Sequence, residues 1–404
     1  MAEALGANSL QFGFFRFTIS PCQSLIVPGL NKGNMLRGGF GHAFRRLCCV
    51  PQCRDAKQCF LATSCPYKAV FEPSPPVGAD RLSKNQDIPR PFVFRAPQTN
   101  QTRYEVGDRF EFGLVLIGRA LDYLPYFVLS FRQLALEGLG LNRAKCILER
   151  VEQLDVSKIT SRRADPNGGQ IPEQGLYAGK DASTKGTRIS VPNAQASIEP
   201  GVASGQSSFP LPPAFERLAE DYSWIPIYTA DDQIFRSPLP TCLDDYLHIR
   251  LRELESEARH AFSSAKSPSV CPFSQVTVRF LTPTYLRAGG ETISQPEFHH
   301  ILKRLRDRVN TLSIFFGEGP LEIDFRGLGE RSEQVRTVCS QVQWVERFRT
   351  SSKTRQRHEL SGFVGEVTYE GALHEFLPWL IWGEVVHIGK HAAWGNGWYQ
   401  TLAG

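Results

Sequence analysis

The chain has 404 residues, enough for two or more domains, and its 41% apolar content is typical of a soluble protein with a core. No apolar run approaches the ~20 residues that span a bilayer, and no secretory signal begins the chain. We therefore expect a cytoplasmic protein with no membrane partner. The net charge of +5 is too small to identify a nucleic-acid partner, so any such assignment depends on where the charges lie along the chain.

A strand and a glycine-containing helix are predicted near the N-terminus. Residues 11–20 are rich in aromatic and β-branched side chains, as strands are. Apolar residues at helical spacing in residues 35–47 predict a helix with one buried face. His42, Arg45 and Arg46 lie three and four residues apart on another face. Glycines inside a helix are costly, so either another backbone approaches closely or the helix begins later.

Five of the ten cysteines fall between Cys48 and Cys65. In a reducing compartment such a cluster indicates a metal site sooner than disulfides. The ligand candidates are Cys49, Cys53, Cys59 and Cys65, separated by three, five and five residues. Four thiolates suit a structural zinc, and an iron–sulfur cluster is the alternative. The two longer gaps depart from common zinc spacing, so a loop of buried free thiols stays open.

Periodicity predicts the remaining elements. Strands are expected at residues 110–117, 145–154, 224–228, 274–286, 362–369 and 398–402. Helices are expected at residues 123–138, 244–262, 295–316 and 372–386. The order of the elements in residues 1–155 suits a ferredoxin-like α+β unit. Small and polar residues dominate from Asp155 to about Pro213, which indicates an insertion or linker.

Residues 343–358 form a predicted basic hairpin. They hold five cations against one glutamate, a local charge of +4: Arg347, Arg349, Lys353, Arg355 and Arg357. Serines and threonines interleave with these charges, and two aromatic residues precede most of them. This pattern favours a contact with a nucleic-acid backbone over an ordinary solvated loop.

Residues 387–399 form a glycine-rich segment that also carries cations and aromatic rings. Its candidate RNA-binding residues are His387, Gly389, Lys390, His391, Gly395 and Gly397. Glycine lets backbone N–H groups turn towards a ligand, and positive charge with flat rings suits phosphates and unstacked bases. The alternative is a glycine-rich turn before a terminal strand, since glycine runs are a weak signal.

Three stretches together resemble one family. They are Leu36-Arg-Gly-Gly-Phe-Gly-His-Ala-Phe-Arg-Arg with the cysteine loop and Cys65-Pro-Tyr-Lys-Ala-Val-Phe-Glu-Pro, then Val278-Arg-Phe-Leu-Thr-Pro-Thr-Tyr-Leu, then Ser361-Gly-Phe-Val-Gly-Glu-Val-Thr-Tyr through the glycine-rich segment. In this order they resemble the CRISPR-associated endoribonucleases of the repeat-associated (RAMP) superfamily, which cut the repeat transcript into guide RNAs.

The resemblance implies an α+β fold with two ferredoxin-like (RRM-like) domains in tandem. Residues 1–155 would form the first, with the cysteine-rich loop at 48–66, and residues 271–404 the second, with the glycine-rich loop at 387–399. Residues 156–270 would lie between them as an insertion or linker region.

The resemblance also implies a metal-independent cut of CRISPR repeat RNA, with no cofactor for catalysis. The ribose 2′-hydroxyl attacks the adjacent phosphate and leaves a cyclic phosphate, which requires a base, an acid and positive charge. The family commonly places its catalytic histidine on the first helix, where His42 is the one histidine. Arg45 and Arg46 would then stabilise the phosphate, and Arg37 would bind RNA.

His387 and His391 are rival catalysts, because they flank Lys390 in the glycine-rich segment. Two other functions stay open. One is a non-catalytic subunit that holds guide RNA among other CRISPR effector-complex subunits. The other is a metal-stabilised module that binds a protein partner through the cysteine loop.

Overall fold

The computed structural model describes residues 10–29, 32–53, 55, 59–61, 64–73, 88–156, 223–262, 274–350 and 356–403. These residues form a mixed α+β fold with antiparallel sheets, which confirms the predicted class. No helix within these ranges is long and apolar enough to cross a membrane. Lys353 and Arg355, with most of the predicted insertion, lie outside them.

The longer strands are β1 Gln11–Pro21, β3 Phe92–Arg95, β5 Phe110–Ile117, β6 Cys146–Leu154, β7 Trp224–Thr229, β9 Gln275–Thr284, β12 Arg336–Val345, β15 Gly362–Glu370 and β16 Tyr399–Ala403. The shorter ones are β2 Leu25–Ile26, β4 Arg103–Tyr104, β8 Thr241–Cys242, β10 Leu286–Ala288, β11 Glu291–Ile293, β13 Phe348–Thr350 and β14 Arg357–Glu359. The helices are α1 Lys32–Cys48, α2 Pro66–Val70, α3 Leu124–Glu137, α4 Leu243–Phe262, α5 Phe298–Phe316, α6 Phe325–Ser332 and α7 Leu377–Val386.

The first sheet has the order β3-β5-β1-β6-β7, with β8 also paired to β1. Side chains alternate along β1, so its two faces enter different cores. Phe15 and Phe17 join the core beneath α1 and α3, where Phe40 stacks on Phe127 with ring centroids 4.3 Å apart. Phe12 and Phe14 join a core that continues into the second half of the chain.

The second sheet has the order β12-β15-β9-β16, and α5 and α7 cover one of its faces. Apolar residues recur along α5 at helical spacing and are buried from Phe298 to Phe316, as predicted. Nearly all of α7 is buried, including Trp379 and Trp382. β12 is an edge strand whose side chains are mostly exposed.

The described residues between the two predicted domains belong to the folded body. β7 pairs with β6 of the first sheet, and α4 packs on α7 and β16 of the second half. Leu243 and Tyr246 of α4 are fully buried. Residues 223–262 are therefore structural elements that join the two sheets, and the predicted linker does not describe them.

Candidate nucleic-acid interface

The glycines of the segment 387–399 serve its own packing. Gly389, Gly395 and Gly397 have φ values of 79°, 91° and 69°, a region that side chains other than glycine rarely adopt. A Cβ at Gly395 would collide with the carbonyl oxygen of Phe94, and one at Gly397 with that of Ile388. The prediction that these glycines admit an RNA backbone is therefore corrected: the backbone that approaches them is the protein's own.

His387 is also an internal residue, and it is fully buried. Arg95 Nε donates to its Nε2 at 3.3 Å, and its Nδ1 lies 3.2 Å from the carbonyl oxygen of Asn396. Burial and then the charge of Arg95 hold the pKa of His387 well below its usual value, so the ring is neutral. His387 fastens this segment to β3 and is not available to RNA, which corrects its predicted role.

A cluster of cations lies around Trp394 in the same segment. The guanidinium of Arg37, on α1, lies 3.9 Å from the centre of the Trp394 ring and 4.6 Å from that of Phe71. Arg349 of the basic hairpin lies 5.2 Å from the same indole. These contacts bring together residues from three distant parts of the sequence. The stretch around Trp394 therefore fastens α1 and the hairpin to each other.

The charges of this cluster are unbalanced. Arg37 is 9% exposed, and its Nε is buried without a hydrogen-bond partner. Burial, and then repulsion from Arg90 and Arg349, lowers the pKa of Arg37 to about 9. Within the described part of the chain, no carboxylate forms a salt bridge with Arg37 or Arg349. The Glu72 carboxylate acts on Arg37 but offsets only part of the burial and repulsion, so the cluster keeps an excess of positive charge that an anion can balance.

His391 and Lys390 lie at the edge of this cluster. The His391 ring is half-buried, 4.9 Å from that of Trp394, and its backbone φ is 66°. Burial, and then the charges of Lys390 and Arg349, lowers the pKa of His391 to about 4, so the ring is neutral at pH 7. Lys390 is exposed, with its ammonium 4.9 Å from the centre of the Tyr285 ring. Both residues keep positions that a nucleic acid can reach.

One face of α1 leads from this cluster to His42. The helix begins at Lys32, so the alternative of a late start is wrong. Asn34, Gly38 and His42 are four residues apart and share that face, about 12 Å from end to end. Asn34 accepts a hydrogen bond from Arg349 at 3.5 Å, a Cβ at Gly38 would meet nothing within 4 Å, and His42 is exposed.

Arg45 and Arg46 already have protein partners near His42. Arg46 forms a salt bridge with Glu137 of α3, and Arg45 Nη2 donates to the carbonyl oxygen of Cys53 at 3.4 Å. The Arg46 side chain is 57% exposed, so water screens this pair and an incoming phosphate can compete for the arginine.

The basic hairpin has the expected form at its base. β13 pairs with β14 in antiparallel register, and Arg349 lies opposite His358. The guanidinium of Arg357 lies 3.7 Å from the centre of the Phe348 ring, and both side chains are exposed. Arg347 points inward instead, and its Nε is buried without a hydrogen-bond partner.

The cysteine-rich loop brings its thiols together in pairs. Cys53 makes side-chain hydrogen bonds with Cys59 and with Cys49, and Cys65 influences the titration of Cys49. Desolvation and the hydrogen bond to Cys59 raise the pKa of Cys53 to about 11, so it is a neutral thiol. In the described part of the chain, three donor atoms within 4.8 Å of one another occur at Glu297, His299 and His300, and not among these cysteines. Four cysteine sulfurs are the right number of soft donors for one metal ion. To bind it, they would have to move closer together than they are here.

Sequence reasoning missed Lys32, Asn34, Trp394 and Arg90 as parts of this interface. Trp394 carried a usable signal, because it is the aromatic residue directly before Gly395 in a segment already singled out. Asn34 lies one helical turn before Gly38, but its proximity to Arg349 depends on the tertiary fold.

Comparison with known proteins finds a family similarity over the C-terminal part of this chain. Residues 278–399 match the family model of the CRISPR-associated endoribonuclease Cas6. A second family model, described as an N-terminal domain, matches residues 10–173. A search of curated proteins finds no match.

Several solved structures align with this chain, all at low sequence identity. A partial Cas6-RT-Cas1–Cas2 complex aligns with 98% of this chain and 46% of its own, at 10% identity and a TM-score of 0.48. A fuller complex of the same kind aligns over 29% of its own chain, so this chain spans less than half of the first two structures. Thermus thermophilus Cas6 aligns over 97% of this chain and 99% of its own, at 12% identity and a TM-score of 0.42.

The sequence match over residues 278–399 makes this part of the chain similar to the CRISPR-associated endoribonuclease Cas6. The predicted resemblance is thereby supported for these residues, and the activity of the whole protein is taken up below as a proposal.

Proposed function

We propose that this protein binds CRISPR repeat RNA and cuts the precursor transcript into guide RNAs, by attack of a ribose 2′-hydroxyl on the adjacent phosphate. One observation carries the proposal. The cations around Trp394 have no carboxylate partner in the described residues, and a bare helix face leads from them to His42. An RNA backbone held by Arg37 and Arg349 would follow that face past Gly38.

His42 is the proposed proton-transfer group of this reaction. An exposed imidazole on a rigid helix can take the proton of the 2′-hydroxyl or give one to the leaving oxygen near neutral pH. Arg45 and Arg46, within a turn of it, would stabilise the charge on the phosphorane once phosphate displaces their present partners. The step needs no metal, because protons and fixed positive charge supply all of its parts.

The two sheets support this proposal at the level of architecture. Counted along the chain within each half, β1, β3, β5 and β6, and likewise β9, β12, β15 and β16, lie in the spatial order 2-3-1-4. A helix follows the first and the third strand of each set. This order is that of the ferredoxin-like βαββαβ unit, so we propose two such units in tandem.

The cysteine-rich loop is proposed to hold a structural zinc through Cys49, Cys53, Cys59 and Cys65. Bound zinc would tie the end of α1 to the start of α2, and it would take no part in the cut. The soft thiol donors fit zinc, and they also fit the iron–sulfur alternative. We also propose that the protein binds other CRISPR effector-complex subunits and that it is located in the cytoplasm.

A non-catalytic RNA-holding subunit is the second candidate function. It is favoured by the pairing of Arg46 with Glu137, because both arginines near His42 are already engaged by the protein. Binding of RNA without cleavage would distinguish this function from the first.

The test is incubation of the purified protein with its cognate repeat RNA in EDTA, beside His42→Ala and a control, His248→Ala, at an exposed histidine on α4. We expect one discrete cut with a cyclic-phosphate end in the wild type and the control. The His42 variant should lose at least about a hundredfold in rate, the usual worth of a general acid or base, while RNA affinity stays within about twofold. Full activity in that variant would move the proton transfer to His391, and tight binding without any cut would establish the second candidate.

A further inference from the structure

A small cavity lies where the two halves meet, beside the cations around Trp394. Its volume is about 160 Å³. One wall comes from Gly29 with residues 32–34 and 96–100 of the first half, and the other from residues 394–396 with Arg347 of the second half. We call it the junction cavity. An engineered cavity of about this volume holds a benzene-sized molecule, so there is room for one small polar group.

Two cations face this cavity from opposite halves. Lys32 is 3% exposed, and its ammonium donates to the carbonyl oxygens of Thr99 at 2.5 Å and of Gly29 at 3.2 Å. An ammonium has three N–H donors, so one of them is left over. Arg347 contributes a buried Nε without a hydrogen-bond partner. Burial lowers the pKa of both side chains, which means that the charged form of each is disfavoured here.

Among the described residues that line the cavity, none is an aspartate or a glutamate. A buried cation that lacks a counter-charge is costly. The start of α1 adds to the positive potential, because Lys32 is its first residue and its first turn holds no acidic side chain. The missing component of the cavity is an anion.

We propose that the junction cavity is a phosphate site, separate from the proton-transfer step at His42. It takes one phosphate group between Lys32 and Arg347, and this group joins the two halves. Phosphate matches the cavity because its several oxygens can accept the remaining donors of both side chains at once. The group is either a backbone phosphate of bound RNA, which rests on the proposed function, or a free phosphate, which does not.

The first experiment uses inorganic phosphate alone and measures thermal unfolding, with sodium chloride at equal ionic strength as the reference. Wild-type protein should gain roughly 2 °C at 20 mM phosphate if the site binds in the millimolar range. Lys32→Met should lose this gain. Arg326→Met, at an exposed arginine on α6, should keep it. If Lys32→Met does not fold, Arg347→Met tests the same site from the second half.

The second experiment uses repeat RNA and the His42→Ala background, which keeps the RNA intact. Adding Lys32→Met should weaken binding about fivefold and reduce the salt slope by roughly 0.7, as loss of one phosphate contact to a single strand does. A phosphate gain that Lys32→Met abolishes identifies a free-phosphate site. A reduced salt slope without that gain identifies an RNA phosphate. Equal phosphate gains in all variants, or no effect in either experiment, would overturn the proposal.

Discussion

At Gly38 the surface of α1 is bare, and no packing contact among the described residues accounts for it. Gly39 and Gly41 are explained by packing, since a Cβ on either would press against Leu134 or Phe71. A Cβ at Gly38 would meet nothing within 4 Å, and its backbone is helical. Glycine at such a position gives up about 1 kcal/mol of helix stability against alanine. A flat surface that costs stability and that no described residue covers fits the proposed passage of RNA over Gly38.

Gly38 therefore gives opposite predictions for stability and for RNA binding. Gly38→Ala should raise the free energy of unfolding by about 1 kcal/mol in denaturant titrations. Gly38→Leu should also fold, because none of the described residues obstructs the side chain, but it should weaken RNA binding about tenfold. The control is Gln133→Leu, which adds the same side chain to an exposed position on α3. Equal RNA affinity in both leucine variants would show that RNA does not pass over Gly38.

At the scale of single elements, the sequence predicts best where apolar periodicity is strong. β5 was predicted to the residue and α5 to within three residues, because burial on a regular face leaves a regular pattern. β3 was missed, since three apolar residues between polar, proline-rich stretches are too few to show a period. β12 was missed because it is an exposed edge strand, held by pairing with β15 and by little apolar burial.

The glycine-rich segment shows why site residues are harder to predict than elements. Its composition indicated exposed, RNA-facing glycines, yet the same composition serves a segment that packs tightly on Phe94 and Ile388. His387 and His391 are four residues apart, but one is fully buried and the other half-buried. Only the tertiary contacts with Arg95 and Trp394 separate their roles.

The cysteine-rich loop carries a prediction at the same scale. Cys59→Ser combined with Cys65→Ser should reduce the zinc content of purified protein from one atom per chain to none, and lower the unfolding temperature by several degrees, because metal binding stabilises the folded loop. Metal content is measured by mass spectrometry, and Cys339→Ser, at an exposed cysteine on β12, is the matched control. The cut in EDTA should persist in protein that remains folded. Zinc retained at wild-type levels in the double variant would remove these two cysteines from the site.

At the scale of the whole molecule, the two larger sheets share one continuous core. The sequence indicated two units, and each half has its own sheet. It did not indicate that one face of the first sheet would share a core with the second half, because amphipathic patterns show that a face is buried and not what covers it. A buried polar network extends this union. Arg95 of the first half donates to the backbone of α7 at Glu384, and Arg250 of α4 binds the Glu384 carboxylate from the other side.

This network gives a prediction for the stability of the entire chain. The Glu384 carboxylate is fully buried and accepts hydrogen bonds from Arg250 Nε at 3.0 Å, the Tyr246 hydroxyl at 3.1 Å and the Thr401 amide at 2.7 Å. Glu384→Gln keeps the shape but leaves the Arg250 charge, 1% exposed, with Glu253 as its remaining salt-bridge partner in the described residues. Removing one partner of a buried pair costs about 3–5 kcal/mol, which should appear as a lower midpoint of chemical unfolding.

The control is Glu330→Gln, which breaks the exposed pair with Arg326 and should change stability by less than about 0.5 kcal/mol. Equal midpoints for the two variants would mean that the buried carboxylate contributes no more to stability than an exposed ion pair. A loss confined to Glu384→Gln would show that this carboxylate, which touches no proposed RNA contact, stabilises the packing of α4 against α7 and β16.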